Sequence, residues 1–284
     1  MTPAIDSFWD ILSQDETDFV QAIVLELANQ PWAQPIVAGI NDNGGLKREN
    51  KDRLFELRFA YALHRAGITP RYEIPGEARS TIDFGFASHG RPWAVELLRL
   101  GETQAAKAAT GLSVDEHGVA WSGRILSTVA DDPTQSTEGE TLKAVQRICQ
   151  KCEQRGRPHK FPTPGDAYHM ILVDFRTVLN GGDVHDRLHV ALGAESVAPQ
   201  YRMAWQGQPI SGVFSARTAV RGAAEVRDRV HFLGFVRERT YKPDEFGAVL
   251  DLVANPYLFP DAAAVRAAGA TWPLQPVRIL NAAD

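Results

Sequence analysis

Cysteine is scarce, at two in 284 residues. That excludes a disulfide framework and fits a reducing cytoplasm. No apolar run approaches the about 20 residues that cross a bilayer, so no membrane partner is expected. The opening stretch, MTPAIDSFWDILSQDETDF, is acidic and lacks the basic and apolar regions of a signal peptide. Positive charge is not in excess either. The chain carries 30 Lys and Arg against 35 Asp and Glu, for a net charge of −5. Any contact with nucleic acid must therefore rest on a local basic patch. A Walker loop, a Gly-x-Gly-x-x-Gly fingerprint and a nucleophile elbow are all lacking, which argues against nucleotide-hydrolysing, dehydrogenase and serine-hydrolase chemistry. The expectation is a soluble cytoplasmic protein.

With 44% hydrophobic residues, the chain can build a large core, as one large domain or two small ones. DETDFVQAIVLELANQ has the apolar spacing of a helix, and QPWAQPIVAGINDNGG breaks it with prolines and glycines. A second helix spans about 48–66, and Gly67 is its natural stop. TPRYEI, STIDFGFA and PWAVELLRL follow as three closely spaced strands, separated by the turn-like PGEARS and SHGR. LSVDEHGVAWSGRILS has the pattern of a small hairpin. EGETLKAVQRICQKCEQRG is an amphipathic helix, and DAYHMILVDF is a nearly continuous apolar strand suited to a sheet centre. SGVFSA, VHFLGFVRE and GAVLDLVANP are further strand candidates, with DAAAVRAAG as a short terminal helix. This order predicts an α/β protein with a mixed sheet. The expected divisions are an N-terminal helical segment at 1–47, a core at 48–180, and an α/β extension at 181–284 packed on that core.

Asp83 in TIDFGF and Glu96 in WAVELL each interrupt an otherwise apolar strand. A buried carboxylate is costly unless it is paired or holds a cation. With Glu56 on the preceding helix (LFELRFA), these acids give a pattern that resembles the PD-(D/E)xK, restriction-endonuclease-like nucleases over about residues 50–176. The resemblance implies a central mixed sheet flanked by helices and a metal-dependent phosphodiesterase acting on nucleic acid, with DNA the first expectation. Asp83, Glu96 and the Leu97 carbonyl would hold Mg²⁺ or Mn²⁺, and Glu56 would help position the ion or its water. Paired carboxylates suit a hard cation with oxygen ligands. The family lysine belongs two residues after the second acid, on the same strand face, and here that residue is Leu98. Arg99 points to the opposite face. Lys143, on the helix after the long loop, is the expected replacement, with Lys107 a weaker one.

Lys151, Arg155, Arg157 and Lys160 form a basic cluster that reads either as phosphate contacts or as a solvated helix terminus. The Cys-x-x-Cys of Cys149 and Cys152 lacks the second pair that zinc wants and suits core packing. His185, Asp186 and His189 lack a third certain ligand and read as a surface turn and helix start. Leu98 also supports a degenerate member of the same fold that binds nucleic acid or protein without cutting. An unrelated interaction module is the third reading, and a homodimer is allowed.

Overall fold

The structure, a computed structural model, describes residues 14–46, 50–101, 110–114, 120–124, 136–236, 246, 250–275 and 277–280. Helices α1 (Gln14–Leu27), α2 (Gln34–Asp42) and α3 (Lys51–Arg65) come first. The meander β1 (Arg71–Pro75), β2 (Thr81–Ser88) and β3 (Arg91–Arg99) follows. Helix α4 (Thr137–Gln150) leads back to β4 (Tyr168–Asp174). Helices α5 (Val184–Leu192) and α6 (Ala223–Arg229), strands β5 (Phe232–Val236) and β6 (Leu250–Ala254), helix α7 (Ala262–Ala270) and strand β7 (Arg278–Leu280) complete the architecture.

The seven strands stand side by side in their chain order. The β1–β2, β2–β3 and β5–β6 pairs are antiparallel, whereas β3–β4, β4–β5 and β6–β7 are parallel. β4 is thus the middle strand, and Met170, Ile171, Leu172 and Val173 along it are fully buried. Alternation sends Val95, Leu97, Met170 and Leu172 into a core shared with α1, α2 and α3. Ala94, Leu98, Ile171 and Val173 enter a second core with α4 and α5. The chain is therefore an α/β protein whose large mixed sheet is flanked by helices on both faces. Among the described residues no helix is long and apolar enough to cross a membrane.

The expected hairpin beyond β3 is present, as Thr110–Val114 paired antiparallel with Ala120–Arg124. Elsewhere the structure departs from the sequence reading. QPWAQPIVAGINDNGG contains α2, because its proline falls in the first helical turn, where a missing N–H costs nothing. SGVFSA is not a strand. Its Val213 and Phe214 N–H groups donate to the Val190 and Ala191 carbonyls at 2.8 Å, satisfying acceptors that the end of α5 leaves open. Helix α4 stops at Gln150 and the chain folds into a hairpin, Glu153–Gln154 against Arg157–Pro158. Its two central residues, Arg155 and Gly156, have φ of +52° and +78°, the backbone of a tight type I′ turn. Residues 181–284 contribute β5, β6 and β7 to the sheet itself. Cys149 and Cys152 are fully buried in the second core, and burial pushes the Cys149 thiol up to about 12. Asp183 and Asp186 form a reciprocal capping box at the start of α5, and His189, in its last turn, is buried. Lys107 and most of 237–249 lie outside the described residues.

Ser136 caps α4 by accepting the Gly139 N–H at 3.0 Å. Ser136→Ala should lower folding stability by about 1 kcal/mol, read as a lower midpoint in urea denaturation. An unchanged midpoint would show that packing alone holds the helix.

Candidate functional site

The registers of β1, β2 and β3 put Glu73, Asp83 and Glu96 in one row of the sheet. β1 pairs with β2 through Tyr72–Phe84 and Ile74–Ile82, skipping Glu73–Asp83. β2 pairs with β3 down to Phe84–Val95 and stops there, one position short of Asp83–Glu96. Glu73 takes a left-handed φ of +53°. Side-chain alternation also reverses across Asp83, since Phe84 enters the first core and Ile82 the second. Where the ladder parts, carboxylates replace its carbonyls. The Leu97 N–H donates to Asp83 Oδ2 at 2.7 Å, and the Asp83 N–H points to Glu96 Oε2 at 3.4 Å. These bonds hold the two acids in a gap between strands rather than on a smooth sheet face.

Glu96 is fully buried. Two ammonium groups reach its Oε1, Lys151 Nζ at 2.7 Å and Lys160 Nζ at 3.0 Å. The hairpin explains why both arrive together. Its pairs Glu153–Pro158 and Gln154–Arg157, with the His159 N–H donating to the Cys152 carbonyl at 2.8 Å, bring residues 151 and 160 opposite each other on the ribbon. Glu56, on α3, accepts the Tyr72 hydroxyl at 2.7 Å. A cavity of about 250 Å³ brings Glu56, Asp83, Glu96, Arg147, Lys151 and Lys160 together.

Of the expected residues, Glu56, Asp83, Glu96 and Leu97 line this cavity, and Lys143 does not. Lys143 lies about two turns before Lys151, which caps α4, and so about 12 Å back along the axis. Chain connectivity accounts for the difference. β3 and β4 are parallel, so the helix between them must run back against both strands, and it meets the site with its last turn. Lys151 and Lys160 bind Glu96 inside the cavity, while Arg155 and Arg157 stay exposed on the hairpin. Arg147 and Tyr72 went unnoticed in the sequence. Arg147 had one available signal, its four-residue spacing from both Lys143 and Lys151. Leu98 is buried in the second core among Ala94, Ile171 and Val145, so the strand position two after Glu96 is used for packing.

The electrostatics are those of crowded carboxylates. Burial, with Glu96 and Glu56 nearby, pushes Asp83 up to about 7. Burial also raises Glu56, partly offset by the Tyr72 hydroxyl. Burial alone would lower Lys151, but Glu96 and Asp83 hold it above its ordinary value, so it stays charged. No cluster of three or more metal-ligating side chains forms among the described residues, so Glu56 lines the cavity without completing a three-carboxylate cation site with Asp83 and Glu96. A larger, mostly apolar cavity of about 600 Å³ lies beside β6 and β7, lined by Phe214, Tyr257 and Phe259. The smaller one has the converging charges, and chemistry selects it over volume. No family model, curated protein or solved structure matches this chain.

Asp83 makes folding stability depend on pH. Its carboxyl is raised to about 7 in the folded chain, against an unfolded value near 3.9. The favourable protonated state is fully counted below about pH 4 and is lost as pH rises to about 7. Denaturation from pH 4 to 8 should show that loss, and Asp83→Asn should flatten it. A wild-type slope persisting in the variant would assign the titration to another group.

Proposed function

We propose that the chain is a metal-dependent phosphodiesterase acting on nucleic acid, DNA in the first instance, on a restriction-endonuclease-like core. The observation that carries this reading is the parted β2–β3 ladder, with Asp83 and Glu96 in the gap and the Lys151 ammonium 2.7 Å from Glu96. Lys151 takes the role first given to Lys143, with Leu98 left to the core.

The donor set fits a Mg²⁺-type ion. Such an ion is bound through one or two carboxylates and keeps several waters, so a third side chain is not required. Asp83 uses Oδ2 for the Leu97 N–H, which leaves Oδ1 as a ligand. In an extended strand the N–H and C=O of one residue point to the same edge, so the Leu97 carbonyl faces the gap as well. The raised Asp83 fits a site with surplus negative charge. A bound ion would supply Lewis-acid polarisation of the phosphate and an acidified water. The chain's own residues do the rest. Asp83, Glu96 and the Leu97 carbonyl would hold the ion, and Glu56, fixed by Tyr72, would orient water at its edge. Lys151 turns its ammonium toward the scissile phosphate and stabilises the charge that grows as water attacks phosphorus and the leaving oxygen departs. Arg147 at the cavity and Arg155 and Arg157 on the hairpin offer flanking phosphate contacts.

The second reading is a module of the same fold that binds nucleic acid or protein without cutting, favoured by Leu98 and by the two ammonium groups already engaged on Glu96. Cleavage of labelled DNA and RNA with Mg²⁺ or Mn²⁺ separates the two. Asp83→Asn should abolish cleavage, and Lys151→Ala should slow it by about 10²–10³, whereas Lys143→Ala should leave it unchanged. Salt-sensitive binding with no cleavage under either metal would establish the second reading.

A further inference from the structure

Lys151 and Lys160 share one carboxylate oxygen, but the fold treats them differently. Lys151 caps the end of α4 and is 28% exposed, with its ammonium on Glu96. Lys160 is 17% exposed, and its ammonium binds both Glu96 at 3.0 Å and the Thr81 carbonyl at 2.8 Å. It thus spans the gap between β2 and β3. Its backbone is held as firmly. The Lys160 N–H donates to Ser80 Oγ at 3.1 Å, and its carbonyl accepts the Glu77 N–H at 2.8 Å. Its φ is +69°, a conformation that a side chain with a Cβ adopts at a cost and that persists only where the surroundings impose it. Gly76 is part of that imposition, since a Cβ there would lie 2.5 Å from the Lys160 carbonyl oxygen.

A strained backbone and a doubly anchored ammonium are an expensive way to place one positive charge. We propose that Lys160 is the resident counter-cation of Glu96. It neutralises this carboxylate while no substrate is bound and keeps the site's affinity for a free divalent cation low, leaving Lys151 to engage the phosphate. The proposal rests on the metal-dependent reading above. A cation shared by Asp83 and Glu96 must sit within a few ångströms of the Lys160 charge, where repulsion in a poorly solvated cavity is strong. A substrate phosphate would bring the negative charge that offsets this repulsion, so ion and substrate should bind together rather than singly. Lys160 is a positioning residue here and touches neither.

The sign of one measurement separates this from a merely structural role. Mn²⁺ affinity of the full chain, without nucleic acid, is measured by titration calorimetry for wild type, Lys160→Met, Lys160→Arg and Asp83→Asn. The wild type should bind weakly, Lys160→Met at least tenfold more tightly, Lys160→Arg as weakly as the wild type, and Asp83→Asn not at all. Distortion of the gap would weaken binding instead. If the methionine variant melts much earlier than the wild type, Lys160→Gln carries the same expectation. It removes the charge while retaining a donor for the Thr81 carbonyl. Asp83-dependent binding in the wild type that is unchanged or weaker without the Lys160 charge overturns the counter-cation role and leaves the metal site standing. Absence of Mn²⁺ binding in every variant overturns both.

Discussion

A single buried carboxylate organises the site. Glu96 lies at 0% exposure in the third strand of a seven-stranded sheet, and an uncompensated charge at such a position is prohibitively unfavourable. Its compensation comes from far along the chain, from the last turn of α4 and from the returning arm of the hairpin beyond it. The demand for two ammonium groups at Oε1 therefore constrains where α4 ends, how tightly the chain turns at Arg155–Gly156, and how closely Lys160 meets the β1–β2 connection at Gly76. The gap beside Asp83 belongs to the same arrangement, since the Leu97 N–H reaches a carboxylate only because β2 has stopped pairing with β3 there.

This arrangement bears on how the two functional readings relate. A pair of acids balanced by lysines is electrostatically complete and could serve as a buried polar joint. The surplus lies at Asp83, where burial and two neighbouring carboxylates raise the proton affinity even with Lys151 close by. A purely structural joint gains nothing from that excess, whereas a site that must attract a cation needs it. Perturbation of Asp83 and neutralisation of Glu96 thus describe two halves of one cavity, one with a raised proton affinity and one balanced by two ammonium groups.

The parts legible in the sequence were those governed by local rules. The three-strand meander announced itself by period-two alternation and short polar turns, and the acids Asp83 and Glu96 stood out because each broke an apolar run. β4 was readable as a central strand from its unbroken hydrophobicity. What escaped depended on distant contacts. The four-residue spacing of Lys143, Arg147 and Lys151 carries a signal for the side of α4 that meets the site, but the turn that does so follows from the parallel pairing of β3 with β4. The hairpin at 153–158 was hidden because CEQRGR is as compatible with a helix as with a ribbon, and only the positive φ at Arg155 and Gly156 decides. SGVFSA looked like a strand because a short apolar run can equally cap a helix. The Lys160 contact had no local signal at all.

The strand order carries a further consequence. The strands lie side by side in chain order, and the meander β1–β2–β3 is built from residues 71–99 alone. The charge balance of Glu96 is not. Its partners lie 55 residues and more downstream, within the crossover that closes β4 onto β3. A chain truncated before Lys151 would keep the acids and lose both counter-charges, so the polar heart of the site and the mechanical closure of the sheet are inseparable. Cutting this protein down to the meander would leave unpaired the carboxylate that the whole fold is arranged to shelter.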